Sequence, residues 1–153
     1  MLEEHSIEEL RRLVGHEVHD SDGVRVGYVD LFFLDDDTRR PEWIGVWNGT
    51  WRAPHVLVPI AGATVEGVEQ AIRVPWDAAT IERASVYDDV DTRHLVGGAH
   101  EHPFHISEET ERVARKHYGL DGTAVAPVEG PSGDLVVGYV AVVVTERRPG
   151  RDA

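Results

Sequence analysis

The sequence contains no cysteine, a single methionine and, among its fifteen basic residues, only one lysine, Lys116. Without cysteine there is no disulfide, no thiolate nucleophile and no cysteine-based zinc site. No stretch approaches the roughly 20 apolar residues of a membrane-spanning helix. The N-terminal segment MLEEHSIEEL is acidic, whereas a secretion signal is basic and then apolar. These features favour a cytoplasmic protein without direct membrane insertion.

Positive charge is also scarce. Fifteen Lys and Arg residues stand against 28 Asp and Glu residues, which gives a formal net charge of −13 in a chain of 153 residues. A surface this acidic repels phosphate groups over a Debye length of about 8 to 10 Å. We therefore expect no binding to nucleic acid.

The motifs of several common enzyme classes are missing. The sequence has no G-x-S-x-G of a serine hydrolase, no Walker-type loop and no G-x-G-x-x-G for a nucleotide. Pairs of carboxylates are abundant, so no single pair indicates acid–base catalysis. The sequence thus predicts a protein that is not an enzyme and that carries no cofactor.

What the sequence does contain, between residues 15 and 60, is a series of short β-branched and aromatic runs separated by turn residues. Ser21-Asp22-Gly23 is typical of a hairpin turn, residues 38–41 of a second turn, and Asn48-Gly49 of a tight type I′ turn. This pattern predicts consecutive antiparallel strands that curl into a small barrel.

The same part of the chain resembles the PRC-barrel family. The resemblance is carried by Gly15, Val18, Asp20, Asp22-Gly23, Val26-Gly27, Val29-Asp30, Asp35, Val58-Pro59-Ile60, Val74-Pro75-Trp76, Ile81 and Ala84. Segments 107–109 and 117–119 are similar to a helix often appended to stand-alone members. The photosynthetic reaction centre H subunit and the C-terminal domain of ribosome maturation factor RimM share this fold. The resemblance implies a mainly β protein built on a small PRC-type antiparallel barrel.

The predicted order of elements is an N-terminal helix at 1–14, the barrel at 15–86, a histidine-rich loop at 87–106, a helix at 107–119, a C-terminal β-hairpin at 120–147 and a disordered tail at 148–153. Ser6 and Glu9 form a capping box at the start of the first helix. Ser107 opens the later helix, on which Val113, Ala114, His117 and Tyr118 form an apolar stripe.

The run from Leu135 to Thr145 is almost wholly apolar, as in a strand buried on both faces. Residues 132–140 resemble residues 21–29, which is consistent with a remnant of a second barrel. A hairpin formed with residues 123–128 explains the run equally well. In either case the strand needs a partner, within one chain or by exchange in a dimer, because such an edge aggregates when exposed.

The strand at residues 24–34 has two apolar faces. Strict alternation places Leu31 and Phe33 on the same face as Val29, and Phe32 and Leu34 on the opposite face. If the first set fills the barrel, Phe32 and Leu34 point outward and require a cover.

The next strand raises the same question, because Trp43 and Trp47 point outward if Ile44 and Val46 point inward. Three interpretations remain open. The chain's own helices and tail cover these side chains, the side chains form an interface, where tryptophan and tyrosine are enriched, or they line a ligand pocket. The interface hypothesis predicts a non-enzymatic interaction or scaffold module, a homodimer, with contacts from Phe32, Leu34, Trp43, Trp47, Trp51, Tyr139, Val142 and Val144.

A histidine cluster suggests an alternative function, the binding of a metal ion or small ligand. Its members are His94, His100, His102 and His105, with Glu101 among them. Imidazoles bind zinc or nickel without cysteine, but the spacing matches no defined site and a loop would lose entropy on forming one. The sequence therefore favours a solvated loop with no metal. Asp35-Asp36-Asp37 likewise fits a solvated turn rather than an EF-hand.

Overall fold

The computed structural model describes residues 2–49, 55–84, 101–130 and 133–142, with the backbone alone at 101–103. Its elements are a 3-10 helix (Leu2–Glu4), α1 (Ile7–Leu13), β1 (Glu17–His19), β2 (Arg25–Asp35), β3 (Pro41–Trp47), β4 (Val56–Pro59), β5 (Thr64–Glu66), β6 (Ala71–Arg73), α2 (Ala78–Glu82), β7 (Glu101–Ser107), α3 (Glu108–His117), β8 (Val128–Glu129) and β9 (Leu135–Val142). The fold is mainly β with short flanking helices, as predicted. Within these ranges no helix is both long and apolar enough to span a membrane.

All the described strands join one sheet, whose main order is β4-β3-β2-β1-β6-β5. The pairs are antiparallel except for β1 with β6, which is parallel. The sheet is organised around β2, which is 11 residues long. One edge of β2 pairs with β3, while the other edge is shared: β1 pairs with its first half and β9 with residues 32–35.

One side of the sheet encloses an inner cluster of buried side chains, to which α1 and α2 also contribute. The inner cluster comprises Leu2, Leu10, Leu13, Val18, Val29, Phe32, Leu34, Ile44, Val46, Val58, Ile60, Ala63, Ile72, Val74, Ile81 and Val142. Leu10 and Leu13 are three residues apart and so lie on one face of α1. The predicted capping box starts this helix, since the backbone N–H of Ser6 donates to Glu9 Oε1 at 2.8 Å.

The opposite side of β2 and β3 carries an outer cluster, which α3 and β9 cover. The outer cluster comprises Leu31, Phe33, Trp43, Leu57, Ala84, Ile106, Ala114, Tyr118, Val137, Tyr139 and Ala141. The C-terminal part of the chain therefore supplies the cover that the apolar outer face requires.

The two faces of β2 differ from the prediction. Val29, Phe32 and Leu34 lie in the inner cluster, whereas Leu31 and Phe33 lie in the outer cluster. The cause is a β-bulge: Val29 pairs with Val46 and Leu31 with Gly45, so Asp30 is an extra residue. A bulge reverses the alternation for every residue that follows it. The prediction that Leu31 and Phe33 share a face with Val29 is therefore wrong.

The pairing partners of the tail strand, β9, also differ from the predicted hairpin. β8 pairs with β9 at only two positions, whereas β7 pairs with β9 along seven residues and β2 along four. Residues 101–106 are therefore strand and not part of a histidine-rich loop. In β7 the apolar side chains alternate, since Ile106 is buried and Phe104 half-buried while His105 is exposed. The strand pattern was present in the sequence but was obscured by the histidines and Pro103.

The predicted tight turn at Asn48-Gly49 is wrong as well. β3 ends at Trp47 and β4 begins at Val56, so eight residues separate the two strands. Gly49 has a φ of 96°, but Asn48 is not among the described residues with positive φ, and a type I′ turn needs both. By contrast, Gly23 takes a φ of 84° in the predicted first hairpin turn.

Two glycines offer a matched test of the strand packing. A Cβ at Gly27 would collide with the backbone carbonyl oxygen of Trp47, whereas a Cβ at Gly138 would meet the Asp36 carboxylate at 2.7 Å. The backbone of β3 cannot withdraw without breaking the sheet, but the exposed Asp36 side chain can rotate away. We expect Gly27→Ala to lower the free energy of unfolding by about 1 to 3 kcal/mol, and Gly138→Ala to cost clearly less. Urea denaturation of both variants measures the difference, and equal losses would contradict this account.

Candidate functional site

The residue that joins the C-terminal segment to the barrel is Glu111, a fully buried carboxylate on α3. Ser107 caps this helix, and its side-chain oxygen accepts the backbone N–H of Thr110 at 3.1 Å. Glu111, Ala114 and Tyr118 share one face because they are three and four residues apart, and all three are buried. The predicted apolar stripe is only partly correct, since Val113 is 55% exposed.

Glu111 accepts hydrogen bonds from three other parts of the chain. Its Oε1 accepts the indole N–H of Trp43 at 3.0 Å and the hydroxyl of Tyr139 at 2.7 Å. Its Oε2 accepts the backbone N–H of Ala124 at 2.6 Å. Because all three partners are donors, the site suits an ionised carboxylate, which only accepts. We call Glu111, Trp43 and Tyr139 the buried triad.

The triad connects α3 to β3 and β9 at the centre of the outer cluster. Trp43 Nε1 also lies 3.1 Å from the Tyr139 hydroxyl oxygen, so the three side chains form a closed set of contacts. Burial raises the pKa of Tyr139 far above its usual value, and the neighbouring Glu111 carboxylate raises it further. Tyr139 is therefore a neutral hydrogen-bond donor at neutral pH.

A second tyrosine secures the other end of α3. Tyr118 donates its hydroxyl to the backbone carbonyl of Leu57 at 2.7 Å, and burial raises its pKa. Its ring lies 4.9 Å from that of Trp76. Beside it, His117 Nε2 lies 2.6 Å from the carbonyl oxygen of Thr80. Since a carbonyl only accepts, His117 is the donor, and α3 is thereby tied to α2.

A second carboxylate, that of Glu42, lies close to the triad. Phe33 pairs with Trp43 and Leu34 with Pro41, so Glu42 is the extra residue of another bulge. Glu42 is half-buried, and burial raises its pKa from 4.5 to about 7, with further increases from Asp35 and Glu111. Such a carboxyl group changes its charge near neutral pH.

Most of the predicted interface residues lie in the interior of a single chain. Phe32, Leu34 and Val142 belong to the inner cluster, and Trp43 and Tyr139 belong to the outer cluster. They are covered because β9 and α3 pack on the sheet of the same chain. In the single chain these five residues are therefore buried and not exposed, while Trp51 and Val144 lie outside the described residues.

Trp47 differs from these five predicted interface residues, because part of its side chain is exposed to solvent. It is half-buried and pairs across the strands with Tyr28, whose ring centroid is 6.1 Å from its own. The guanidinium of Arg25 lies 5.4 Å from the centroid of the Tyr28 ring, and its side chain is 56% exposed. We call Arg25, Tyr28 and Trp47 the aromatic strip.

The histidine cluster does not form a site in the described part of the chain. His94 and His100 lie outside the described residues, the side chain of His102 is not described, and His105 is exposed on β7. Among the residues that the structure describes, no group of three or more His, Asp or Glu side chains could hold a metal ion. Histidine–carboxylate pairs do occur: His55 Nδ1 lies 2.8 Å from Asp30 Oδ2 at the first bulge, and His19 Nε2 lies 2.9 Å from Glu17 Oε1.

Sequence reasoning missed Glu111 and Glu42. Both are single acidic residues in a chain with 28 of them, so composition offered no signal. For Glu111 a signal existed in the helical spacing with Ala114 and Tyr118, which places it on the apolar face. For Glu42 no such signal exists, because its environment depends on a bulge.

A comparison with curated proteins finds no match. The model of the PRC-barrel domain family matches residues 6–90, which include α1, strands β1 to β6 and α2. This match covers more than half of the chain. The matched residues form a sheet around the inner cluster, and a mainly β fold is what the family resemblance implied. The chain therefore belongs to the PRC-barrel domain family.

Proposed function

We propose that this protein is a non-enzymatic interaction module, which acts by binding another protein, and that its partner is a second copy of the chain. Membership of the PRC-barrel family supports a non-catalytic module. The observation that supports the binding role is the aromatic strip. Arg25 and Tyr28 lie near the start of β2, and Trp47 lies beside them at the end of β3.

The composition of the strip is that of an interface hot spot. Arginine, tyrosine and tryptophan are the residues most enriched among those that dominate binding energy. Each offers a large, flat surface with a polar or charged tip, and the guanidinium already lies over one aromatic ring. The strip can therefore bury a large apolar surface against a partner while the Arg25 guanidinium keeps its contact with an aromatic ring.

A second copy fits the strip because a two-fold interface brings the same patch together from both subunits. The guanidinium of Arg25 in one copy can then stack on the Trp47 ring of the other, and the reverse contact forms by symmetry. A nucleic acid partner is disfavoured, since the net charge of −13 repels phosphate. We place this assembly in the cytoplasm, in keeping with a sequence that holds no cysteine.

Sedimentation of the full chain tests the proposal. We expect a dimer, and we expect Arg25→Glu and Trp47→Ala to shift it toward monomer while circular dichroism shows that both variants remain folded. Val68→Thr is the matched control, because Val68 is a fully exposed apolar residue in the turn between β5 and β6. A chain that is monomeric at all concentrations would contradict the homodimer, and a dimer that neither variant weakens would contradict the strip.

A further inference from the structure

The solvent-accessible side chains of β2 have a charge pattern that is complementary to itself. Val29 points into the inner cluster, so its neighbours Tyr28 and Asp30 point to the outer side of the sheet. Arg25 lies on this same side, since its guanidinium is over the Tyr28 ring. Along the first half of β2, the outer side therefore presents a positive charge, an aromatic ring and a negative charge, in that order.

The guanidinium of Arg25 is available to bind an acceptor on a partner. Its side chain is 56% exposed, and Glu17 Oε2 lies 3.8 Å from its Nη1, which is beyond hydrogen-bond distance. The other oxygen of this carboxylate, Glu17 Oε1, lies 2.9 Å from His19 Nε2. Within the described part of the chain, no acceptor takes a hydrogen bond from the five N–H groups of this guanidinium.

Asp30, at the other end of the pattern, is held in place by a histidine. Its Oδ2 lies 2.8 Å from His55 Nδ1, and its side chain is 26% exposed. Because Val46 pairs with Val56, His55 lies beside Trp47 on the neighbouring strand, and the contact with Asp30 spans β3 at this point. A carboxylate can accept about four hydrogen bonds, so Asp30 can bind a guanidinium in addition to His55.

We propose that Arg25 of one copy binds Asp30 of the second copy, and that this ion pair sets the register of the homodimer. When two β2 strands face each other in antiparallel orientation across a two-fold axis near Tyr28, residue 25 of each strand lies opposite residue 30 of the other. Each end of the pattern then meets the opposite charge, and the pair forms twice. This inference rests on the homodimer proposed above and adds Asp30 to the residues that select the partner.

The ion pair is compatible with the stacking contact of the aromatic strip. The Asp30 carboxylate lies close to Trp47, so a guanidinium placed over the Trp47 ring of the second copy has N–H groups within reach of that carboxylate. A planar guanidinium can stack and donate at the same time. Parallel β2 strands would instead bring Arg25 against Arg25 and Asp30 against Asp30, an arrangement that like-charge repulsion disfavours.

Charge reversal tests the pair, followed by sedimentation and native mass spectrometry of the full chain. We expect Arg25→Glu and Asp30→Arg each to raise the dissociation constant of the dimer at least about tenfold, because each variant brings like charges together twice. Mixing the two variants should restore association as a heterodimer, in which both pairs have opposite charges. Contacts within one chain cannot produce this rescue, since each chain keeps its own substitution.

An ion pair of similar exposure on α3 provides the control. Arg112 and Glu108 lie 2.9 Å apart, and their side chains are 60% and 24% exposed. Arg112→Glu and Glu108→Arg make the same changes in net charge, and we expect both to leave the dimer intact and to give only the statistical proportion of heterodimer when mixed. Asp30→Asn, which keeps the size of the side chain beside His55, serves if Asp30→Arg does not fold, and it should also weaken the dimer.

The possible results separate the ion pair from the homodimer itself. An unmodified chain that is monomeric would overturn both proposals. A dimer that Trp47→Ala weakens but Asp30→Asn leaves unchanged would overturn the ion pair alone. So would a mixture of Arg25→Glu and Asp30→Arg that associates no better than either variant by itself.

Discussion

A chain that lacks residues 120–153 is expected to lose its folded state. The deletion removes β9, which pairs with β2 and with the whole of β7. It also removes Val137, Tyr139 and Val142 from the two clusters. Each large buried side chain stabilises the fold by roughly 1.5 to 3 kcal/mol, so the combined loss approaches the roughly 5 to 15 kcal/mol by which a domain is stable. Thermal denaturation followed by circular dichroism measures this loss.

A pair of point substitutions tests the same idea without changing chain length. Tyr139→Asp places a charge in the outer cluster and removes a triad donor, so we expect a loss of at least about 4 kcal/mol. Leu135→Asp introduces the same charged side chain at the start of the same strand, where the native side chain is 50% exposed, and should change the free energy of unfolding by no more than about 0.5 kcal/mol. A soluble truncated chain with an unchanged melting temperature, or a Tyr139→Asp variant that loses as little stability as Leu135→Asp is expected to lose, would show that β9 is a dispensable appendage.

Glu111→Ala is expected to be nearly as damaging as the loss of Tyr139. It would leave the Tyr139 hydroxyl and the backbone N–H of Ala124 without their acceptor in a buried site, and Trp43 Nε1 with only the Tyr139 hydroxyl as acceptor. Each buried donor that is left without an acceptor costs about 1 to 3 kcal/mol. Glu111→Gln should cost less, because one carbonyl oxygen remains for two of the donors. Glu109→Ala, on the exposed face of α3, is the control for helix propensity and should be close to neutral.

A triple variant separates the hydrogen bonds from the packing. When all partners of a polar network are replaced by apolar groups of similar shape, the cost is often small. We therefore expect Glu111→Leu combined with Trp43→Phe and Tyr139→Phe to be more stable than Glu111→Ala alone. The reverse order would mean that Glu111 stabilises α3 in some way other than by accepting these hydrogen bonds.

The sequence allowed much of the barrel to be predicted, because local signals agree with the fold there. The Ser6 capping box, the glycine turn at Gly23 and the acidic start of α3 each act over a few residues, and each is found where expected. The family resemblance added the arrangement of the strands. These features need no knowledge of distant contacts.

The faces of β2 could not be predicted, because one extra residue at Asp30 reverses the alternation of all that follows. No residue type marks a bulge of this kind in a single sequence. The partners of β9 were missed for a different reason, since the first residues of β7 include His102 and Pro103, which suggest a loop. Its pairing with β9 overrides that local preference.

The candidate functional site was predicted only in part. Of the eight residues in the predicted interface, Trp47 is half-buried, and five others form part of the core. The error has a physical origin, because a large apolar side chain looks the same in a sequence whether another subunit or the chain's own tail covers it. Only the pairing of β9 with β2 and the packing of α3 on the sheet show that the chain's own tail, and not another subunit, covers these side chains.

The shared edge of β2 has a consequence for how the protein is made. Phe32 finds its strand partner Val142 some 110 residues later in the chain. At a synthesis rate of about 5 to 20 residues per second, roughly 5 to 20 s pass on the ribosome before that partner emerges. During this interval the second half of β2 presents an unpaired, strongly apolar edge of the kind that chaperones recognise. The nascent chain is therefore vulnerable to misassembly until β9 has emerged and paired with β2.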